Sequence, residues 1–443
     1  MRIEAALLPA ALLCLAPCAR AGELYTLKQC QDYAAANSPE VLETALGGAV
    51  YRAEADQARA ARNPSFDLLT FAAPAYKVTG DVNEYENDYS VWGPYYHTKL
   101  QATMPLYTWG KIDSYIDAAE HGEKVARSET AKTRNDVLYD VKKYYDGLLL
   151  ARRLERTVDD ATKVLTGAID KAQKLYDEGT GDVKASDLQE LKVYLAEAEK
   201  NKHLAVKSET MARLALMQKM GMTEDPDFDI ADKQLKPDPG ELAPVEDYVK
   251  KAFANRPEWK MVHDGIKARE KLVQAQLADR YPTLFLAGEV EYDHTGVRQN
   301  QPGPWAYDPY NQFTGGVAVG AKFDFTPSAM KAKTAELQAE VDKLREKEKF
   351  ARTGIELQVE NAWQNAREAK DNIDSAKRGL DAAERWVMAA GLVYGIGTGD
   401  AKTALEGLAA QAKSEKDYYQ AIYDYNMARA DLARSCGLKD LDE

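Results

Sequence analysis

The sequence predicts a mainly α-helical fold with a β part, built twice from helix, β-hairpin and long helical hairpin. Three observations carry this reading. The heptapeptide Tyr176-Asp177-Glu178-Gly179-Thr180-Gly181-Asp182 returns as Tyr394-Gly395-Ile396-Gly397-Thr398-Gly399-Asp400, agreeing at five of seven positions at an offset of 218 residues. The same offset relates Asn37-Ser38-Pro39-Glu40 to Asn255-Arg256-Pro257-Glu258, and Pro64 to Pro282. Long tracts rich in Ala, Glu, Lys, Leu and Gln alternate with shorter segments of period-two hydrophobicity. A whole-chain tandem duplication follows, with 22–221 as the first repeat, 222–243 as an inter-repeat linker and 244–443 as the second repeat.

Composition excludes several functions. With 443 residues, 29% charged and mean hydropathy −0.51, the chain reads as extended helix rather than large compact cores. A net charge of −13, with bases interspersed among acids at helical spacing, argues against nucleic acid as a partner.

Residues 1–21 read as a secretory signal peptide. Arg2 precedes an apolar run from Ala5 to Ala16, and Ala19-Arg20-Ala21 is a small-x-small cleavage site before Gly22. Cys18 raises the alternative of a lipidated N-terminus, for which Pro17 is a poor neighbour. No other run approaches ~20 apolar residues, so no transmembrane helix is expected. Two cysteines remain in the mature chain, Cys30 and Cys436. They pair if the chain ends meet in an oxidising compartment, and otherwise stand as isolated buried thiols.

The first helix is expected from the capping-box spacing of Thr26 and Gln29, interrupted near Pro39 and running toward Arg62. Its copy begins near Pro244 and runs to about Arg280. Proline stops each, at Pro64 or Pro282. Alternating strands follow in two hairpins, 66–107 and 283–326. They comprise Phe66–Thr79, broken at Pro74, and Tyr96–Leu106 in the first copy, then Leu284–Tyr292 and Phe313–Phe325 in the second. Ten or so residues of period two are the length a tilted strand needs to cross a bilayer. Each hairpin is expected to carry a loop of ~15 residues, holding Tyr85, Tyr89, Trp92 and Tyr95 in one copy and Trp305, Tyr307 and Tyr310 in the other. These aromatics read either as a membrane-interface girdle or as packing of a soluble hairpin.

Long helical hairpins occupy 110–221 and 327–437. Their outward helices would each reach roughly 100 Å at 1.5 Å per residue. Gly179 and Gly181, or Gly397 and Gly399, permit the sharp reversal, and Asp182 and Asp400 suit the starts of the returning helices. The linker 222–243 is rich in Pro and Asp and reads as lying against the outside. Four amphipathic strands cannot close a barrel, and the smallest transmembrane barrels have about eight. An open apolar sheet would aggregate, so an oligomer is expected. Three copies of four strands make twelve, although two or four copies also close.

This order of elements resembles the TolC-like outer-membrane efflux proteins. The resemblance is carried by the duplicated Tyr-x-x-Gly turns, by Arg62-Asn63-Pro64 and Arg280-Tyr281-Pro282-Thr283-Leu284 before the strands, and by the run Tyr418-Tyr419-Gln420-Ala421-Ile422-Tyr423-Asp424-Tyr425-Asn426-Met427-Ala428-Arg429-Ala430-Asp431-Leu432. It implies a homotrimer whose 12-stranded β-barrel lies in the lipid of the outer membrane. A periplasmic α-helical barrel would continue it and meet an adaptor protein and an inner-membrane transporter, as in a tripartite efflux or type I secretion system. On that reading Tyr176, Gly179, Thr180, Gly181, Tyr394, Gly397, Thr398 and Gly399 lie at the periplasmic tips where the adaptor docks. The pore constriction is drawn from Asp182, Asp187, Asp400, Thr403 and Glu406. The family's acid six residues after the turn glycine is missing in both copies, where Ala185 and Thr403 stand. The other class of function is an exported coiled-coil structural or adaptor protein without a pore.

No chemistry competes. Gly395-Ile396-Gly397-Thr398-Gly399 follows helix rather than strand and lacks the lysine of a phosphate loop. His97, His121, His203, His263 and His294 show no metal-ligand spacing and read as isolated surface residues. The carboxylates sit at helix-face spacing with Lys and Arg. No catalytic residue, cofactor or metal is expected, and Tyr418, Tyr419, Tyr423 and Tyr425 read as helix packing.

Overall fold

The computed structural model describes residues 24–81, 84–178, 184–223, 227–301, 308–323, 326–395 and 401–441. The elements run β1 (Leu24–Tyr25), α1 (Leu27–Asn37), α2 (Pro39–Ala60), β2 (Ser65–Gly80), β3 (Tyr85–Tyr107), α3 (Lys111–Asp177), α4 (Ala185–Met220), β4 (Asp229–Ile230), α5 (Val245–Asn255), α6 (Pro257–Ala278), β5 (Thr283–Thr295), β6 (Gln312–Lys322), α7 (Pro327–Gly395) and α8 (Ala401–Ser435). The duplication is plain in this order, because α1–α2–β2–β3–α3–α4 is repeated as α5–α6–β5–β6–α7–α8. The helices α3 and α7 are continuous over 67 and 69 residues. Among the described residues no helix is long and apolar enough to cross a membrane.

Two compact units divide the chain. One comprises 43–131 and 257–354, and the other comprises 1–42, 132–256 and 355–443.

The first unit holds a four-stranded antiparallel sheet in the order β2-β3-β5-β6, so the two hairpins pair through β3 and β5. Period two sorts its side chains onto two faces. Phe66, Leu68, Leu100, Val290, Tyr292, Phe313, Val317 and Val319 share one face and are 42–77% exposed. The other carries Asp67, His97, Lys99, Gln101, Glu289, Glu291, Asp293 and Gln312. The sheet is open, and β2 and β6 are its edges.

The first hairpin differs from expectation. Its strand β3 starts at Tyr85 rather than Tyr96, so Tyr85, Tyr89, Trp92 and Tyr95 are strand residues and β2 ends only five positions earlier, at Gly80. The strands tolerate Pro74 because Pro94 stands opposite it, which places both missing N–H groups on one rung of the ladder. The register shifts at Tyr76/Lys77, a bulge that absorbs the extra residues of β3.

In the second unit, Thr26 caps α1 through the expected reciprocal box with Gln29. Pro244 is the N-cap of α5 rather than its first helical residue. The linker is more than an outer connection. Its β4 pairs in parallel with β1, and Phe228, Ile230 and Leu235 are buried in the core with Cys30, Val141, Tyr145, Leu148, Leu216, Met220 and Ile422. Polar ties fix its course. The Tyr145 hydroxyl donates to Asp232 at 2.6 Å, and Asn426, 1% exposed, accepts from Asp238 N–H at 2.8 Å and donates to Lys236 C=O at 2.9 Å. Lys142 lies between Asp146 at 3.1 Å and Asp238 at 3.0 Å. Cys30 and Cys436 are both buried and free, and burial pushes each thiol up to about 12. They occupy α1 of the first repeat and the end of α8 in the second, where Cys436 Sγ sits 3.6 Å from Tyr248 C=O. They do not pair.

Candidate functional site

Two places concentrate the features of a conduit: the reversal between α3 and α4 with the start of α8, and the polar face of the sheet.

At the reversal, Leu165, Ala172, Leu188 and Leu191 form a buried cluster. Tyr194, Leu195, Leu405 and Leu408 pack against it, joining α3, α4 and α8. Helical spacing aims Leu405 and Leu408 into this cluster and turns Thr403 and Glu406 outward, where both are exposed. Tyr176, in the last turn of α3, is 47% exposed. Asp187 is tied into the first turn of α4. Its carboxylate accepts from the backbone N–H of Lys184 at 3.1 Å and from the Ser186 hydroxyl at 3.0 Å, closing the first turn of α4. Those two hydrogen bonds, the backbone one foremost, hold its carboxyl below the ordinary aspartate range. Gly179, Thr180, Gly181, Asp182, Gly397, Thr398, Gly399, Asp400 and the Tyr394 side chain lie outside the described residues.

On the sheet, the polar face forms a connected belt. Lys99 Nζ lies 2.8 Å from Glu289 and 4.0 Å from Glu291. Asp293, with 1% of its side chain exposed, accepts from His97 Nδ1 at 2.7 Å, from the Tyr95 hydroxyl and from Gln312 Nε2 at 2.8 Å. Three histidines are therefore partnered rather than isolated: His97 by Asp293, His121 by Asp264 at 3.0 Å, and His263 by Glu348 at 3.2 Å. Both members of each pair stand on different elements, so sequence spacing gave no signal of them. Among the described residues, His97, Glu291 and Asp293 form the one set whose donor atoms lie within 4.8 Å of one another. Tyr95 and Gln312 hydrogen-bond into this set, making it part of a polar network on a strand seam.

Aromatic side chains bracket the apolar face at both ends. Tyr76 packs against Tyr89 at 4.8 Å and Trp92 at 5.9 Å toward the hairpin turn. The Arg298 guanidinium, in the β5–β6 connection, lies 3.6 Å from the Tyr310 ring and 4.7 Å from Tyr76. Trp305 and Tyr307 lie outside the described residues. The opposite band went unnoticed in the sequence. Where strands meet helices, Trp109 stacks on Tyr281 at 4.9 Å and meets Tyr107 edge-on at 4.9 Å, and Trp109 Nε1 donates to Pro282 C=O at 2.9 Å. Part of its signal was there, since Tyr281 directly precedes the helix-stopping Pro282. Two belts around an apolar band match the two interfaces of a bilayer.

The sequence matches the family model for outer membrane efflux proteins over residues 32–222 and again over 248–438. The chain belongs to the outer membrane efflux protein family. The two matched spans repeat the duplication read from the turns. Membership puts the protein in the outer membrane, extending into the periplasm. Solved structures show the same fold. The Neisseria gonorrhoeae MtrE outer membrane channel, described in its open state, is 16% identical over 93% of this chain and 89% of its own, at a TM-score of 0.74. The Campylobacter jejuni CmeC outer membrane channel is 15% identical over 93% and 85%, at 0.74. The Vibrio cholerae outer membrane protein VceC is 16% identical over 93% and 96%, at 0.71. Among curated protein sequences, none matches this chain.

Proposed function

We propose that this protein is the passive exit duct of a tripartite efflux system, or of a type I secretion system. Three copies would join their open sheets into a 12-stranded barrel. The carrying observation is the sheet itself. One face is apolar, exposed and bounded by two aromatic belts, the other is polar and internally paired, and both edges are open. Lipid satisfies the first face and water the second, and only further strands satisfy the edges. The duct performs no chemistry on its cargo. An inner-membrane transporter and a periplasmic adaptor deliver substrate to it, and the adaptor meets the tips near Tyr176, Gly179, Thr180, Gly181, Tyr394, Gly397, Thr398 and Gly399.

Glu406 is the acid we assign to the constriction at those tips, with Thr403 beside it and Asp182 and Asp400 completing it. Exposure of Glu406 beside core-facing Leu405 and Leu408 supports the assignment. Asp187, which also closes the first turn of α4, stands in the same group. In the exported protein residues 1–21 are removed and the two repeats, 22–221 and 244–443, form the duct wall.

Detergent-extracted membranes run on SDS gels before and after heating test the closure. The expected result is a membrane-extracted trimer that falls to a monomer on boiling. A water-soluble monomer would favour the coiled-coil spacer class instead.

A further inference from the structure

On the polar face of the sheet, β5 carries acids at three alternate positions, Glu289, Glu291 and Asp293. Period two puts them on one side of the strand, about 7 Å from one to the next. Few cations stand opposite. Lys99 binds Glu289 at 2.8 Å and reaches Glu291 only at 4.0 Å. His97 stands directly opposite Asp293 and is the one other basic side chain on the three rungs that pair Gln101, Lys99 and His97 with these acids. Asp67, opposite Gln101 on β2, adds a fourth carboxylate.

The excess of acid converges at one point. One donor atom each from His97, Glu291 and Asp293 can be chosen so that all lie within 4.8 Å of one another. His97 Nδ1 is 2.7 Å from Asp293 Oδ1. Gln312, from β6, touches both carboxylates, its Nε2 lying 2.8 Å from Asp293 Oδ2 and 3.2 Å from Glu291 Oε1. The group is thus anchored on β3, β5 and β6 at once, and one chain contains all of it. Asp293 keeps 1% of its side chain exposed, whereas His97 and Glu291 keep 13% and 22%, so solvent reaches the set. The Tyr95 hydroxyl donates to Asp293, the kind of supporting hydrogen bond that holds a metal-binding carboxylate in place. Ligands roughly 2.1 Å from a tetrahedral ion stand about 3.3 Å apart, so these donors need to close by about 1.5 Å at most. Moving the His97 proton from Nδ1 to Nε2 frees the Nδ1 lone pair. A half-turn of the Gln312 amide presents its carbonyl oxygen in place of its NH2.

We propose that His97, Glu291 and Asp293, with Gln312, bind a divalent transition-metal ion of the Zn2+ type on the polar face of the sheet. An imidazole, two carboxylates and an amide oxygen suit such an ion. Ca2+ and Mg2+ favour all-oxygen sets of more ligands, and Cu(I) favours thiolate or thioether sulfur. The ion brings positive charge to a seam where three acids of β5 face one lysine and one histidine. The other histidine–carboxylate pairs lack this convergence. His121 meets Asp264 and His263 meets Glu348, and among the described residues neither pair has a third ligating group close by. Sequence spacing could not show the site, because its ligands come from three strands. The proposal rests on the duct reading in one respect only, that this face lines the lumen, where three copies would hold three ions. The ligand set itself is complete within a single chain.

The test uses untagged, chelator-washed, full-length protein in detergent, with Zn2+ and Co2+ as probes. Titration calorimetry is expected to show one Zn2+ per chain. Co2+ is expected to give visible absorption of nitrogen and oxygen ligation without a thiolate charge-transfer band, which sets the buried Cys30 and Cys436 aside. His97→Gln and Glu291→Gln should each weaken Zn2+ binding at least ~10-fold, with the circular dichroism spectrum unchanged. His121→Gln should bind as the unmodified protein does. A readout on the unmodified protein needs no variant to fold. Zn2+ should protect His97, and not His121, from carbethoxylation by diethylpyrocarbonate, followed by mass spectrometry. Absence of Zn2+ uptake at submillimolar concentration overturns the site. So does uptake that both substitutions leave intact, or equal labelling of His97 with and without the ion. Loss of the site in a protein that still conducts leaves the duct standing, and binding in a protein that never conducts removes the duct and keeps the site.

Discussion

Asp187 shows how one side chain decides the local geometry of the tip. Its ionised carboxylate satisfies the Lys184 N–H that opens α4 and also takes the Ser186 hydroxyl. These bonds favour the charged form, so the folded-state pKa lies below the unfolded one. The stabilisation is therefore complete above the ordinary aspartate value, ~3.9, and is lost as pH falls through the depressed value. Amide exchange in the first turn of α4, corrected for intrinsic rates, is expected to accelerate severalfold on acidification through that range. In Asp187→Asn the acid response should disappear. An unchanged response in the variant would show that another group governs this turn. Sequence reasoning named Asp187 for the constriction through the family resemblance; its capping hydrogen bonds were not legible because they depend on where α4 begins, three residues later than Asp182 suggests.

At the scale of elements, the duplicated landmark around Asn37 and Asn255 acquires a cause. Each returning helix ends in a glycine of positive φ, Gly221 at 74° and Gly437 at 73°. A Cβ on Gly221 would lie 2.4 Å from Asn37 C=O, and one on Gly437 would lie 2.8 Å from Arg256 Cα. The helix break at Pro39 or Pro257 is where the chain end docks. Strain and clash act together there, so Gly221→Ala is expected to cost at least ~1 kcal/mol. Thermal unfolding followed by circular dichroism should show a lowered midpoint, and an unchanged midpoint would mean the helix end moves freely. Helices, strand period and turns were legible because they are local. The break at Pro39, the stops at Pro64 and Pro282 and the capping box at Thr26 all follow from neighbours in sequence. The buried linker was not legible, since Phe228, Ile230 and Leu235 are scattered among Pro and Asp and much of the core they join, Cys30, Val141, Tyr145, Leu148 and Ile422, is remote in sequence. The first hairpin was misjudged for a related reason. Pro74, Gly93 and Pro94 read as turn residues until the register sets the two prolines opposite one another.

For the whole molecule, the duplication explains why a chain so charged has an exposed apolar side. A single chain pairs its two hairpins through β3 and β5 and leaves β2 and β6 as free edges. In the unit that holds the sheet, the two repeats are tied by Lys111–Asp279, Asp117–Lys271 and His121–Asp264. Membership in the outer membrane efflux protein family, and the fold shared with MtrE, CmeC and VceC, agree with strands that cross a bilayer although no described helix does. The measurement that bears most directly on the duct is conductance of the purified protein in planar lipid bilayers. Discrete cation-selective channels are expected, with selectivity reduced several-fold in Glu406→Ala. Unchanged selectivity in that variant would remove Glu406 from the constriction. Bilayers that stay silent with well-folded, trimeric protein, across applied voltages and salt concentrations, would contradict the account of this protein as a duct.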